Sequence, residues 1–301
     1  MNEVVIRKTL KTNNTDRQHT WKAYIFPALF FSLLVGIAPL LYSMYISFHQ
    51  YNLAKTQIAF KLVWFKNYIG LVSDPAFWNS FKLTIIFVVA AVFLELVLGT
   101  MLAMLLLNDV KGRNIFRSLF LIPMVITPIA VGLMGRFIFE NNVGIVNFLL
   151  RKLSISAPIW YGNPKIALTT MILLDIWEWT AFVFILVLAG LMAIPKEYYE
   201  AARVEGANFF GELFKITLPT LKNVFLLAIM IRIIDAFKEF DKIYIMTKGG
   251  PDFATDLINI RAYTIAFKEF NIGVGSAFSV IILILMILLG TVLIRTIRKS
   301  V

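Results

Sequence analysis

Two groups of ionisable residues stand in stretches of sequence otherwise too apolar to hold them. Asp175 and Glu178, spaced i,i+3 and flanked by Trp177 and Trp179, lie inside the run Ile166–Leu191. Arg232, Asp235 and Glu239 follow one another at intervals of three and four inside Val224–Tyr244, with Lys238 and Asp241 beyond them. Those intervals put side chains on one face of a helix. An isolated charge at the centre of a membrane span costs about 2.5–3.5 kcal/mol even on lenient insertion scales, so such residues mark function or mutual pairing. Carboxylates accept paired hydrogen bonds from sugar hydroxyls, arginine donates them, and a tryptophan face stacks on the apolar side of a pyranose ring. By that chemistry the two stripes describe a carbohydrate path. Pairing of Arg232 with Asp235 to lock a helix bundle is the structural alternative, and it has the right spacing. A proton or sodium relay through Asp175, Glu178 and Asp235, as in an ion-coupled secondary transporter, is the functional one. Glu95 and Arg136 are further charges in apolar runs, read as paired or close to a membrane boundary.

Other chemistries find no residues to carry them. The chain has no cysteine, and its two histidines, His19 and His49, lie far apart. That excludes disulfides, thiolate zinc sites and iron–sulfur clusters, and argues against a histidine metal centre. Gly206 and Gly211 have the separation of a phosphate-binding loop, but Glu212-Leu213 stands where Lys-Ser/Thr is required and would repel phosphate. Serines are scattered without a His–Asp arrangement beside them, so nucleophilic catalysis has no support. The expectation is a non-enzymatic chain that binds no metal and no cofactor of its own.

The elements that must position these side chains are membrane spans. Of the 301 residues, 59% are hydrophobic and only 16% charged, with mean hydropathy +0.79. A soluble interior cannot hide that much apolar surface, so disordered, nucleic-acid-binding and most soluble enzyme classes are excluded. A helix crossing about 30 Å of hydrocarbon needs roughly 20 apolar residues. Six stretches qualify: Tyr24–Phe48, Phe81–Leu107, Leu119–Phe139, Ile166–Leu191, Val224–Tyr244 and Val274–Ile294. The fold class is therefore all-α and polytopic, with a 24–294 transmembrane domain between a segment 1–23 and a tail 295–301. An even number of spans puts both termini on one side. Residues 1–23, 108–118, 192–223 and 295–301 hold 15 Lys+Arg, against 9 in the longer alternate set 49–80, 140–165 and 245–273. Basic residues mark the cytoplasmic side, so both termini and the 194–219 loop are expected there, and the net charge of +11 needs no nucleic-acid partner. Pro27, Pro39, Pro123 and Pro128 inside spans read as kinks. Gly273-x-x-x-Ala277 and Gly275-x-x-x-Ser279 give the last span a small-residue face for close packing.

The connector between spans four and five is longer than a passive link requires. From Ile194 to Pro219 it reads helix, turn, helix: Pro195 suits a helix start, Glu197 and Glu200 its positive end, and Gly206 its stop. A second short piece brings Phe209, Phe210, Leu213 and Phe214 together on one side. By physics alone this is equally an interfacial anchor and a docking surface for a soluble partner.

The segment resembles the EAA motif of ATP-binding-cassette importer permeases: Glu200-Ala201-Ala202, three residues, Gly206, nine residues, Ile216-x-Leu218-Pro219. Farther on, Phe240-Asp241-x-Ile243-Tyr244-x-x-Thr247-x-Gly249-Gly250-Pro251 is similar to a signature of the carbohydrate-importer permeases. Asn67-Tyr68 and Gly112-Arg113-x-x-Phe116-Arg117 fit the same group, so the likeness covers nearly the whole chain. It is to the first of the two unlike permeases of maltose-, lactose- and glycerol-phosphate-type systems, without the extra N-terminal spans and large external insertion of the bigger maltose subunit. The resemblance implies a type I importer permease fold in a bacterial or archaeal cytoplasmic membrane. It implies as partners a second homologous permease, two ATPases carrying ATP and Mg, and an extracellular or periplasmic solute-binding protein. It implies that residues 194–219 couple to the ATPase, with Glu200 facing it, Ala201 and Ala202 permitting close packing, Gly206 turning, and Leu218-Pro219 closing the motif. It also implies that span five lines the path.

Overall fold

The computed structural model describes residues 2–54, 60–107 and 112–300, with side chains in 24–54, 60–107 and 112–296. His19, the side chains of the 1–23 segment, Lys111 and the last residues of the tail lie outside the described side chains.

The chain is mostly helical. α1 (Asn2–Ser47) runs through Pro27 and Pro39 without a break. It is followed by the one departure from an all-helical chain among the described residues, a two-stranded antiparallel ribbon pairing His49–Gln50 with Lys61–Leu62. α2 (Lys66–Ser73) leads into α3 (Pro75–Leu105), which starts six residues before its expected position. The early start has a local cause: Asp74 accepts the Ala76 amide at 2.9 Å, and Pro75 occupies the first helical position. α7 (Ala167–Met192) packs along α3, and α14 (Ile272–Ser300) packs along α1. Among the described residues, four helices are long and apolar enough to cross a membrane unbroken: Tyr24–Ser47, Pro75–Leu105, Ala167–Met192 and Ile272–Thr296.

The remaining two expected spans are bent pairs. α4 (Arg113–Val125) and α5 (Pro128–Ile138) meet at 101°, so the expected Leu119–Phe139 helix is broken rather than kinked. Proline disfavours the helical region for the residue before it, and here Thr127 before Pro128 is extended at φ −65°, ψ 142°. After α6 (Ile145–Lys152), α7 and α8 (Lys196–Val204), the chain forms α9 (Phe209–Glu212), a π-helical turn Leu213–Thr217 and α10 (Leu218–Thr220). α11 (Lys222–Phe237) departs from the Phe209–Thr220 piece at 66°. The expected fifth span, Val224–Tyr244, therefore ends at Phe237. The chain turns over Lys238–Phe240 and restarts as α12 (Asp241–Thr247), which lies against α5. Gly132 allows that approach, because a Cβ there would stand 2.9 Å from the Lys242 Cα. α13 (Ile258–Tyr263) and a second π-helical turn, Thr264–Lys268, lead into α14.

Two buried clusters hold these elements. One joins Phe87 and Ala91 of α3 to Met171 of α7, Ile243 of α12, Ile258 of α13 and Phe278 of α14. The other joins Ala103, Val183, Val187, Leu191, Ile194 and Leu221 at the end of α3 from which the 194–219 connector emerges. The small-residue face of α14 packs closely: Ala277 is fully buried, and a Cβ on Gly273 would fall 2.2 Å from the His49 carbonyl oxygen. The outward faces of α1 and α14 are apolar and exposed, as lipid or a partner helix requires.

Candidate functional site

The buried charges meet where α3, α7, α11 and α12 converge. Arg232 donates two parallel hydrogen bonds to Glu95, from Nε at 2.7 Å and from Nη2 at 3.0 Å, and Nη2 also reaches Asp175 at 3.0 Å. Lys242 Nζ contacts Asp175, Glu178 at 2.5 Å and Glu239 at 3.1 Å. Asp175 thus bridges the two cations. Two cations face four carboxylates, with every side chain at most 10% exposed. Desolvation of a charge inside a protein is offset only by close, hydrogen-bonded partners, and the bidentate Arg232–Glu95 geometry meets that condition.

This arrangement revises the single stripe read from spacing. Arg232 and Asp235 do approach, but at 3.8 Å, longer than either bond to Glu95. Asp235 is half-exposed beside Lys238, at 3.6 Å from it. Glu95, expected at a boundary or in a pair, is the principal partner of Arg232. Trp179 lies beside Asp175 on α7 and stacks under the Arg232 guanidinium at 4.4 Å. Trp177, two residues from Asp175 and so on the opposite side of a 3.6-residue helix, points outward and is 41% exposed. Lys242 was not singled out from sequence as a charge-bearing site residue. The available signal was an acid pair, Asp175 and Glu178, with no cation on its own helix, and a lysine three residues after Glu239.

Beside the cluster lies a cavity of about 190 Å³, walled by Trp179, Arg232, Asp235, Lys238, Glu239 and Phe240 among others. Asp175 and Glu178 are behind that wall, bonded to Lys242. The signature that follows is tightly organised: Phe240 stacks on Tyr244 at 5.1 Å, both abut Tyr263, and Thr255 bonds Thr247 at 2.7 Å and the Gly250 carbonyl at 2.7 Å.

At the other end of α7, the connector is a helix–turn–helix. Gly206 turns at φ +79°, where a Cβ would meet nothing within 4 Å, so glycine serves the backbone conformation there and not a tight contact within this chain. Asn208 caps α9 by accepting the Gly211 amide at 2.9 Å. Arg203 pairs with Glu212 at 2.7 Å across the turn, and Tyr199 bonds Thr217 at 3.0 Å. Glu200, Ala201 and Pro219 are exposed, while Ala202 and Leu218 are half-buried. Tyr198, Val204, Phe209, Phe210 and Phe214 are all more than half exposed, and Val204 reaches 89%. A cluster of this kind at one end of a bundle marks a protein or membrane contact.

A polytopic bundle with broken helices, ionisable groups paired at its core and an apolar platform at one end has the architecture of a membrane transport subunit. The chain belongs to the family of binding-protein-dependent transport system inner membrane components, which matches residues 95–301. It is 35% identical over 271 residues to the probable ABC transporter permease protein y4oQ of Sinorhizobium fredii, covering 90% of this chain and 87% of that one. It is also 35% identical over 266 residues to the trehalose/maltose transport system permease protein MalF of Thermococcus litoralis, covering 87% and 88%. A chain of the bacterial alginate ABC transporter, crystallised in complex with its alginate pentasaccharide-bound periplasmic protein, shares the fold with TM-score 0.81. That likeness spans 95% of this chain and 96% of the other at 19% identity. The protein is an ABC importer permease of the type I fold, an inner-membrane component.

Proposed function

We propose that this chain forms half of the translocation path of an ATP-driven importer for a sugar, oligosaccharide or related polyol. Its partners in this reading are a second, unlike permease, two ATPases that bind ATP and Mg, and an extracellular or periplasmic solute-binding protein. This chain itself hydrolyses nothing. Carbohydrate is the substrate class because relatives of similar length carry trehalose, maltose and sulfoquinovosyl glycerol in their names. The observation that carries the coupling role is the helix–turn–helix of α8 and α9, whose exposed aromatics and Glu200 form a platform that no other described residue of this chain covers.

Within the path, Asp235 and Trp179 on the cavity wall are the groups that meet substrate. Arg232, Asp175, Glu178 and Glu239 hold the wall in place through Glu95 and Lys242. An ion relay through Asp175 and Glu178 is disfavoured, since Asp175 is held through both oxygens by Lys242 and Arg232 and Glu178 is paired with Lys242.

The test is coupling. Gly206→Asp forces a side chain into the left-handed region, at roughly 1–2 kcal/mol of local strain, and Glu200→Lys reverses the charge offered to the ATPase. Both variants should insert and pair with the second permease while losing substrate-stimulated ATP hydrolysis and uptake. Full uptake with normal ATP hydrolysis in both would remove the coupling role from this loop.

A further inference from the structure

A larger cavity, of about 400 Å³, opens at the opposite end of the molecule from α8 and α9. The polarity of α3 fixes the two ends. Its first residues carry Asp74 and α2, whereas its last turns pack on Leu191, Ile194 and Leu221, from which the platform emerges. The cavity lies between the His49–Gln50 strand, α2 and the corner where Thr264–Lys268 turns into α14. That corner is fixed to the end of α1: the Gly273 amide donates to Tyr51 O at 2.9 Å, and the Leu53 amide donates to Phe270 O at 2.9 Å.

The lining has a definite chemistry. Gln50, Lys66 and Glu269 carry no side-chain hydrogen bond or ion pair among the described residues, so their polar ends are available to a ligand. Arg261 contributes a guanidinium that lies over the Phe253 ring at 5.6 Å and 3.7 Å from Asp256, and its buried Nε has no hydrogen-bond partner among the described residues. Asp74 and Asn271 add acceptors. The formal charges of Lys66 and Arg261 balance those of Asp74 and Glu269, which gives no preference for a strongly charged ligand. Buried Leu71 and Ile265 supply an apolar floor. Donors and acceptors spaced around an apolar patch, in a cavity within the usual size range of small-molecule sites, suit a ligand with many hydroxyls and exposed C–H faces.

We infer that this cavity is a vestibule subsite for a neutral polyhydroxylated ligand, receiving it on the side away from the coupling platform before it reaches the wall formed by Trp179 and Asp235. The inference rests on the carbohydrate reading above, and the vestibule is a separate site from the cavity beside the charge cluster.

The absence of native cysteine makes a protection experiment clean. Glu269→Cys is introduced into the full transporter, reconstituted in lipid nanodiscs without the solute-binding protein, and its modification by a charged methanethiosulfonate reagent is timed. Trehalose, maltose and sorbitol serve as probes, and uptake of each is measured in cells carrying the same transporter. Trehalose or maltose should slow modification about fivefold or more, as expected when a ligand holding a few hydrogen bonds occupies the site. Modification of Ser156→Cys, which lies outside the cavity, should not change. Gly70 offers the decisive control. It lines the cavity with nothing within 4 Å of its Cβ position, so a side chain can be started there in open space, and Gly70→Trp is the variant that would occupy it. Protection of the Glu269→Cys thiol should then disappear. Persistent protection in the Gly70→Trp background, or no protection by any of the three probes, would overturn the vestibule. If cells take up trehalose or maltose while neither protects, the vestibule fails and the carbohydrate reading stands. If none of the probes is taken up, the carbohydrate reading falls for these sugars whatever the protection shows.

Discussion

Lys242 and Arg232 divide the work of neutralising four acids, and the division predicts which substitutions cooperate. Removing one member of a buried pair leaves an unpaired ion at a cost of about 3–5 kcal/mol, whereas removing both restores much of the loss. Arg232→Met should therefore depress the yield and thermal midpoint of the extracted complex, and Glu95→Leu added to it should recover most of that loss. Asp235→Leu should not, because its oxygen lies 3.8 Å from Arg232 and is half-exposed. Equal rescue by Asp235→Leu would contradict the geometry. Lys242→Met should be among the most damaging single changes, since Asp175, Glu178 and Glu239 all lose the same cation. Much of this cluster was legible in sequence: periodicity puts Asp175 and Glu178 on one helical face, and the cost of burial marks Arg232 as needing an acid. The identity of that acid was not. Glu95 is 137 residues from Arg232, and helical spacing carries no information across such a separation. The same spacing rule favoured the near neighbour, Asp235, and drew Trp177 into the site although it faces away.

At the scale of elements, hydropathy locates apolar runs but not the bends within them. The α4–α5 break follows from Thr127 and Pro128, a local signal present in the sequence but compatible with a mild kink until the angle is seen. The end of α11 at Phe237 has no such marker, because the following charged segment turns to place Lys242 among acids that belong to α7. The connector was more readable: its glycine, its caps and its apolar spacing are all local. Asn208→Ala should destabilise α9 by about 1 kcal/mol through loss of the cap, and it should weaken coupling less than Gly206→Asp does. The segment joining α12 to α13 provides a pH test. Burial, only partly offset by Arg261 and by the Ser80 hydroxyl, pushes the Asp256 carboxyl up to about 6. The folded protein then holds a proton at Asp256 that the unfolded chain has released. Stability from this group is accordingly present at low pH and declines as pH rises from the ordinary carboxylate range to about 6. Asp256→Asn should flatten that part of the thermal-midpoint profile, and an unchanged slope between about pH 4 and 6 would rule out Asp256 as its source.

For the whole molecule, orientation is the first prediction. In intact cells an impermeant maleimide should label Ser156→Cys and should reach Lys215→Cys only after permeabilisation. The reverse pattern would invert the membrane placement. The 66° corner between α10 and α11 has a mechanical consequence. Leu221 at that corner is wedged into the cluster of Val187, Leu191 and Ile194, so it acts as a fulcrum. Arg232 lies ten residues along α11 from Lys222, a lever arm of about 15 Å at 1.5 Å per residue. A tilt of about 10° imposed at the platform would swing Arg232 through roughly 3 Å, comparable with the full length of its 2.7 Å and 3.0 Å bonds to Glu95 and Asp175. The platform and the ion cluster thus stand at the two ends of one lever, so a rotation imposed at the first would be felt at Arg232 as a displacement on the scale of a hydrogen bond.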